Sequence, residues 1–486
     1  MKIKNSKDKD TGNGIGGITA ISIRTYITAF VALVGLMVLA LIITRVLPAG
    51  EFDRIAVNGS DVVVPGSYHS TTGNLPLWKW VLSPLLILTG PSKIIIIFLL
   101  FFLFAIGGAF FALESCGVLS FLITCVARRF KHNNRLLLFV LPFIFMLLGS
   151  LIGSFEEVIP LTAIVVALAL RLGWDRLIGL AMSLLAVACG FSVGVMNPFT
   201  TGISQTLAGL PIFSGAWLRI ICFVFVYALL MTFLLLNVRR SERGGINGEA
   251  GIDAGTSLDE DKSTNPMMPK ALRAFVTIFA IGIVTIIACS IVPLPGLSDL
   301  VFPVTALTFL LCGIISPLRC GCGLSQLVSW FLKGVKAIAP GALLVLMASS
   351  ISFMLTEGRV LDTIIFYTNG FLTDKPGWVT ILGIYLLAMV LNFAIPSGSA
   401  KAFLLIPLLA PIVDLVGIPR QLLVLAYIFG DGFSNVFYPT NPVLLISLSL
   451  GGLSYGQWIR RTLPLFLVLL LFTSAILLAG LAIGYR

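Results

Sequence analysis

The stretch that decides the fold reads LLLFVLPFIFMLL at residues 136–148, GSLIGSFEE at 149–157 and VIPLTAIVVALAL at 158–170. Two apolar arms of equal length therefore flank a tip of small and acidic residues. A helical arm of this length reaches about 20 Å, whereas the hydrocarbon core of a bilayer is about 30 Å thick. The stretch predicts a re-entrant helical hairpin over residues 136–170, with its tip near the middle of the membrane.

Basic residues, including Arg135 and Arg171, lie at both ends of this hairpin and place both ends in the cytoplasm by the positive-inside rule. The alternative is a pair of short spans joined by an external polar loop. The hairpin is favoured because a lipid-exposed tip would leave backbone groups and the carboxylates of Glu156 and Glu157 without partners.

The composition indicates a helical integral membrane protein. Of 486 residues, 58% are hydrophobic and only 11% are charged, which excludes a soluble multidomain protein. The net charge of +11 lies mostly in short loops and so reflects membrane orientation, and no nucleic-acid partner is predicted. An enzyme is not predicted either. The pattern Gly-Phe-Ser192-Val-Gly lies in an apolar span, and His69 and His132 are in loops too far away to activate Ser192.

A second copy of the hairpin is predicted over residues 378–413, with the polar tip PSGSAK at 396–401. Each hairpin is followed by an apolar stretch that contains an Asn-Pro pair. Because proline removes a helical hydrogen bond, these stretches predict broken transmembrane helices over residues 177–213 and 421–453.

The two copies form an internal repeat. Asn197 and Asn441 are 244 positions apart, and the tip residues Ser154 and Ser397 are 243 apart. An odd number of predicted crossings between the hairpins makes the two repeats inverted. Inverted repeats with broken helices are typical of secondary transporters with a binding site near the bilayer midplane. A channel is the competing class.

The predicted fold is thus an all-α polytopic membrane protein. We expect a cytoplasmic tail at residues 1–25, a first transmembrane half at 26–236, a cytoplasmic linker at 237–272 and a second transmembrane half at 273–486. The linker is rich in Gly, Ser and charged residues, a composition typical of flexible connections. Residues 48–82 are polar and turn-rich, which predicts an external segment.

The tips and breaks supply hydroxyls, amides and free helix ends, which could hold a carboxylate-bearing solute and a coupling ion. The predicted substrate-binding residues are Ser154, Glu156, Glu157, Asn197, Thr200, Thr201, Ser397, Ser399, Lys401, Asn435, Thr440 and Asn441. Any one of these polar residues could instead only satisfy backbone groups that the breaks leave free.

The coupling candidates are Glu156, Glu157 and Asp431, which could carry a proton or bind a cationic group. These three acids outnumber Lys401, which favours an amino acid such as arginine or ornithine over a four-carbon dicarboxylate. No cofactor or structural metal is predicted; the coupling ion is H⁺ or Na⁺. Arg219, beside a tryptophan, is predicted to be an interfacial anchor, as is the corresponding Arg460.

Several motifs together resemble the DcuC/YfcC-type carriers of the ion transporter superfamily. They are LPAGEFDR at 47–54, GSFEE at 153–157, NPFTTGISQ at 197–205, IPSGS at 395–399 and GDGFSN at 430–435. The likeness covers residues 26–486.

This resemblance implies a secondary carrier of the bacterial cytoplasmic membrane, often a homodimer, that transports four-carbon dicarboxylates or amino acids. Each subunit would contain a scaffold and a transport domain that moves like an elevator. The Ser-Asn-Thr sodium motif of related dicarboxylate carriers is not intact at either hairpin tip, so protons are at least as suitable as sodium for coupling.

Overall fold

A computed structural model describes residues 23–486, except 58–59, 73–74, 91–92, 131–133, 154, 156–157, 244–265, 292–300 and 373–374. Most of the predicted tail and the middle of the predicted linker therefore lie outside the described residues. Eight helical stretches in the described part are long and apolar enough to cross a membrane, as expected for a polytopic membrane protein.

The described chain is mostly helical. The helices of the first half are α1 (Ile23–Val46), α2 (Leu77–Leu86), α3 (Lys93–Ser115), α4 (Val118–Phe130), α5 (Asn134–Leu147), α6 (Val158–Arg171), α7 (Arg176–Leu180), α8 (Ala186–Val193), α9 (Ile203–Leu207) and α10 (Ala216–Arg243). Those of the second half are α11 (Met268–Ile291), α12 (Val301–Arg319), α13 (Leu324–Glu357), α14 (Leu361–Leu372), α15 (Gly377–Ala394), α16 (Gly398–Leu415), α17 (Arg420–Ser434), α18 (Pro442–Gly451) and α19 (Tyr455–Ala482). Short π-helical segments cover Leu148–Ile152, Ala181–Leu185 and Pro198–Gly202.

The expectation of an all-α fold is wrong for one segment. The strands β1 (Gly50–Glu51), β2 (Arg54–Val57), β3 (Ser60–Val63) and β4 (His69–Ser70) form two antiparallel pairs, β1 with β4 and β2 with β3. The side chain of Asp362 on α14 fixes this segment, because its carboxylate accepts hydrogen bonds from Phe52 N at 2.9 Å and from Arg54 Nη2 at 2.8 Å. A polar segment can thus form short β ladders when a distant element satisfies its backbone.

Two groups of helices account for most of the packing that positions the site. In the first, α3 packs against α12 and α13, and α1 and α11 complete the group. Small residues allow close contact there: a Cβ atom on Gly334 would lie 2.3 Å from the carbonyl oxygen of Gly107. The second group contains α5 to α9 and α15 to α18, which include both predicted hairpins and both predicted broken helices.

The same contact occurs in both halves of the second group. Gly190 on α8 lies against α5, where an added Cβ would be 1.9 Å from the oxygen of Met146. Gly430 on α17 lies against α15, where an added Cβ would be 2.6 Å from the oxygen of Tyr385. We call α7 to α9 the first interrupted helix, and α17 with α18 the second interrupted helix. Each of them therefore contacts the first arm of the preceding hairpin at a glycine.

The two interrupted helices run antiparallel. Arg176, at the start of the first, donates from Nη1 to Gly452 O at 3.1 Å, just after the end of the second. Arg420, at the start of the second, donates to Ala208 O at 2.7 Å, just after the end of the first. The second arm of each hairpin also contacts the interrupted helix of the other half: α6 packs on α18, and α16 packs on α9. Inversion of the two halves across the membrane, re-entrant hairpins and elevator motion stay predictions.

The first interrupted helix is shorter than the predicted range of 177–213. Its last segment ends at Leu207, because Gly209 and Phe213 have positive φ angles of 70° and 60° and Pro211 cannot continue the helix. The helical boundaries also extend into the predicted linker, where α10 continues to Arg243 and α11 begins at Met268.

Candidate functional site

Both helix interruptions are capped by the asparagine that precedes a proline. The Oδ1 atom of Asn197 accepts hydrogen bonds from Phe199 N at 2.9 Å and from Thr200 N at 3.3 Å. The Oδ1 atom of Asn441 accepts one from Val443 N at 2.9 Å. Asparagine at the N-cap followed by proline at the first helical position is a strong helix start. These oxygens therefore satisfy backbone donors, which is the alternative that the sequence left open.

The two interrupted helices cross in close contact near their interruptions. A Cβ atom on Gly432 of α17 would lie 2.3 Å from the Cα atom of Ser192 on α8. The hydroxyl of Ser192 donates to Ala188 O at 2.6 Å, so it satisfies its own helix. Only a residue without a side chain permits this crossing, which brings the two breaks side by side.

A fully buried ion pair lies beside this crossing. Lys401 on α16 and Asp431 on α17 are both 0% exposed, and Lys401 Nζ is 2.7 Å from Asp431 Oδ1. Lys401 Nζ also donates to Asn392 Oδ1 on α15. The amide nitrogen of Asn392 is within hydrogen-bonding distance of Asp431 O at 3.0 Å, Ser434 Oγ at 2.7 Å and Asn435 Oδ1 at 2.9 Å. The ion pair thus connects both arms of the second hairpin to the second interrupted helix.

Several buried polar atoms of the interrupted helices and their breaks have no hydrogen-bond partner among the described residues. Asp431 Oδ2 and Thr200 Oγ1 are among them, and both residues are fully buried. Both residues pack closely on Gly398, where an added Cβ would lie 2.8 Å from Asp431 Oδ2 and 2.7 Å from the methyl carbon Cγ2 of Thr200. Further partnerless atoms on the interrupted helices or beside their breaks are Asn197 Nδ2, Ser204 Oγ, Thr440 Oγ1 and Ser447 Oγ.

Buried polar atoms without a partner are costly, so each needs a reason to be kept. Here such atoms lie on both interrupted helices and beside their breaks, and two of the residues, Asp431 and Thr200, contact Gly398 at the start of α16. This arrangement can accept hydrogen bonds from a solute, or bind ordered water, at the place where the breaks meet.

The other predicted site residues have varied surroundings. Thr201 donates to Gly194 O at 2.6 Å, and Asn441 Nδ2 donates to Asn435 Oδ1 at 2.9 Å. Ser397 is exposed; its Oγ atom caps α16 at Ala400 N and lies 3.4 Å from Ser399 Oγ. Ser154, Glu156 and Glu157 lie outside the described residues.

The prediction that Arg219 is an interfacial anchor is wrong. Arg219 is 0% exposed, and its guanidinium donates to Val195 O at 3.2 Å and to Ser214 O at 2.9 Å. It therefore binds a carbonyl that the end of α8 leaves free. Arg460, the corresponding residue of the repeat, is exposed.

Asn392 was also missed, although a single amide in the otherwise apolar arm 378–393 is a usable signal. A metal centre is not indicated either: within the part of the chain that the structure describes, three or more His, Cys, Asp or Glu side chains nowhere converge on a common point.

Comparisons with known proteins place the chain among membrane carriers. Residues 28–482 match the family DcuC, described as C4-dicarboxylate anaerobic carrier. The chain is 27% identical to YfcC of Escherichia coli K12, provisionally named a basic amino acid antiporter, over 80% of this chain and 78% of the relative. It is 23% identical to an uncharacterised protein of Haemophilus influenzae, over 93% of this chain and 96% of the relative.

Two solved structures cover most of the chain at low similarity. The YdaH transporter of Alcanivorax borkumensis has a TM-score of 0.46 at 20% identity and covers 94% of this chain and 99% of its own. MtrF of Neisseria gonorrhoeae, whose structure illustrates a class of antimetabolite efflux pumps, has a TM-score of 0.43 at 18% identity and covers 92% and 94%. The family match spans residues 28–482 of this chain, and eight described helices are long and apolar enough to cross a membrane. The chain is therefore a multi-pass bacterial membrane transporter that belongs to the DcuC family.

Proposed function

We propose that the chain is a secondary active transporter that moves a small amino acid, such as arginine or ornithine, across the bacterial cytoplasmic membrane by alternating access. One observation carries the choice of solute: Asp431 Oδ2 is fully buried, and none of the residues that the structure describes donates a hydrogen bond to it. The ammonium or guanidinium group of a solute would supply that donor through a charge-assisted hydrogen bond.

The proposed position of the solute's cationic group is beside Asp431 Oδ2. Gly398 packs against both Asp431 Oδ2 and the methyl carbon of Thr200, so the second hairpin would have to move away before one solute could contact these residues of different halves. Glu156 and Glu157, which lie outside the described residues, stay predicted contacts of the solute's amine.

The name of YfcC in Escherichia coli supports a basic amino acid as the solute. A four-carbon dicarboxylate is the second candidate, because the family is described as a dicarboxylate carrier. The ion pair also favours a dicarboxylate, because Lys401 neutralises the negative charge of Asp431 that would repel an anion. A dicarboxylate would nevertheless have no group to donate to Asp431 Oδ2.

Alternating access is supported by the exchanged contacts between the two halves. Each hairpin's second arm packs on the end of the other half's interrupted helix, so the site is built at the boundary of two similar units. A channel would instead need a continuous polar path. Proton or sodium coupling and a homodimer are part of the proposal.

Counterflow in proteoliposomes tests this function. Vesicles are loaded with unlabelled arginine, ornithine, succinate or fumarate, and entry of the labelled solute is followed for wild type, Glu156→Gln and Glu157→Gln. We expect saturable exchange of an amino acid that at least one Glu variant loses. Exchange of dicarboxylates alone, unchanged in both variants, would overturn the amino acid. Ion leakage without counterflow of any solute would identify a channel.

A further inference from the structure

The ammonium group of Lys401 lies between two oxygen atoms, one from Asp431 on α17 and one from Asn392 on α15. We infer that Lys401 is a tethered cation, which takes the place of a free sodium ion between the second hairpin and the second interrupted helix. The carrier would then transport its solute without sodium. This inference rests on the proposed function only for its transport experiment.

The ligands of Lys401 Nζ are those that suit a hard cation. They are a carboxylate oxygen, Asp431 Oδ1 at 2.7 Å, and an amide oxygen, Asn392 Oδ1. Carboxylate and carbonyl oxygens are the ligands that hard cations prefer, and carriers with broken helices use such oxygens to bind coupling ions.

Hydrogen bonds of the Asn392 side-chain nitrogen fix the orientation of its amide oxygen independently of Lys401. The nitrogen of Asn392 faces three oxygens, Asp431 O, Ser434 Oγ and Asn435 Oδ1, so the amide oxygen must point the other way, towards Lys401. A site whose ligands are held in this way binds a cation without reorganisation. A cation attached to α16 also loses no translational freedom on binding.

The position of the pair explains why a cation is needed there. Asn392, Lys401 and Asp431 belong to α15, α16 and α17, and all three side chains are buried. One positive charge therefore connects three helices whose packing forms the site. If a free sodium ion occupied this place, the packing of the three helices would depend on the sodium concentration. The lysine supplies the same charge at any sodium concentration, because it is covalently attached to α16.

The first experiment measures thermal unfolding of the purified full-length protein in detergent, in NaCl and in choline chloride. Wild type should have the same apparent Tm in both salts. Lys401→Ala should lower the apparent Tm in choline chloride by about 5 °C or more, because a buried carboxylate loses its partner. In NaCl, the variant should regain at least half of that loss, since sodium can enter the space that the side chain leaves.

Two controls separate this effect from general damage. Lys336→Ala removes an exposed lysine from α13 and should change neither the Tm nor its dependence on sodium. Lys401→Ala combined with Asp431→Ala should lose the response to sodium, because the carboxylate ligand is gone. An equal Tm of Lys401→Ala in both salts would overturn the inference, and so would a sodium-specific stabilisation of wild type.

A second measurement uses wild type alone and does not depend on a variant that folds. Counterflow should have the same initial rate when sodium is replaced by choline on both sides of the membrane. A rate that falls tenfold or more without sodium would overturn the tethered cation while it supports the carrier. Absence of counterflow with every solute would instead contradict the proposed function, and the unfolding experiment would still decide the role of Lys401.

Discussion

At the scale of single residues, two threonines close together in the chain differ in their hydrogen bonds. Thr206 is exposed and donates to Gly202 O at 2.9 Å, whereas Thr200 is buried and its Oγ1 atom has no partner in the described part of the chain. If Thr200 contacts the solute, Thr200→Val should raise the half-saturating solute concentration in counterflow about tenfold, because one hydrogen bond contributes about 1.4 kcal/mol to binding. Thr206→Val serves as the matched control, and equal effects of both variants would exclude Thr200 from the site.

Arg219 gives a prediction about stability. Its guanidinium is buried among the carbonyls of Val195 and Ser214, so Arg219→Ala leaves buried acceptors without donors. We expect a loss of about 3 kcal/mol in the free energy of unfolding, seen as a lower apparent Tm of the purified protein. Arg460→Ala, at the corresponding exposed position, should change it little. A similar loss in both variants would contradict the structural role of Arg219.

These arginines also show what the sequence can predict at this scale. Both follow a tryptophan in equivalent places of the repeat, so local pattern assigns them the same role. Their difference comes from tertiary contacts that no local pattern contains. Lys401 is similar: the sequence predicts it in one site with three acids, but only the packing of α16 on α17 pairs it with Asp431.

At the scale of elements, glycines set how closely each interrupted helix approaches its hairpin. Gly190→Ala and Gly430→Ala would place a Cβ 1.9 Å and 2.6 Å from backbone oxygens of α5 and α15. Each should cost about 1–3 kcal/mol of stability through overpacking, measured by thermal unfolding. Gly370→Ala is the control, because nothing lies within 4 Å of its added Cβ on α14. Unchanged stability of Gly190→Ala and Gly430→Ala would show that these helices are not in direct contact.

Element boundaries follow the sequence where apolar runs are long and fail where turns intervene. The arms expected at 136–148 and 158–170 are helical in α5 with its π-helical extension and in α6. The predicted range 177–213 is too long at its C-terminal end. Hydrophobicity continues there, but Gly209, Pro211 and Phe213 place the backbone in turns after Leu207. The strands at 50–70 were missed for a different reason: their backbone pairs are short, and Asp362, far along the chain, holds them.

At the scale of the whole molecule, the exchanged arginine contacts restrict how the two halves can lie in the membrane. Arg176 begins one interrupted helix and contacts the end of the other, and Arg420 does the reverse. If both helices cross the bilayer, their starting points must be on opposite sides. Equivalent positions of the repeat should then face opposite compartments, which is the defining property of inverted repeats.

Arg171 and Leu415 test this directly, since both are exposed last residues of equivalent helices, α6 and α16, 244 positions apart. Each is replaced by cysteine in a chain whose eight native cysteines are changed to alanine, and intact cells are treated with a membrane-impermeant maleimide. Because basic residues around position 171 favour the cytoplasm, Arg171→Cys should react only after the cells are opened, whereas Leu415→Cys should react from outside. Protection of both cysteines, or reaction of both, would make the repeats parallel, and alternating access through two inverted units would have to be abandoned.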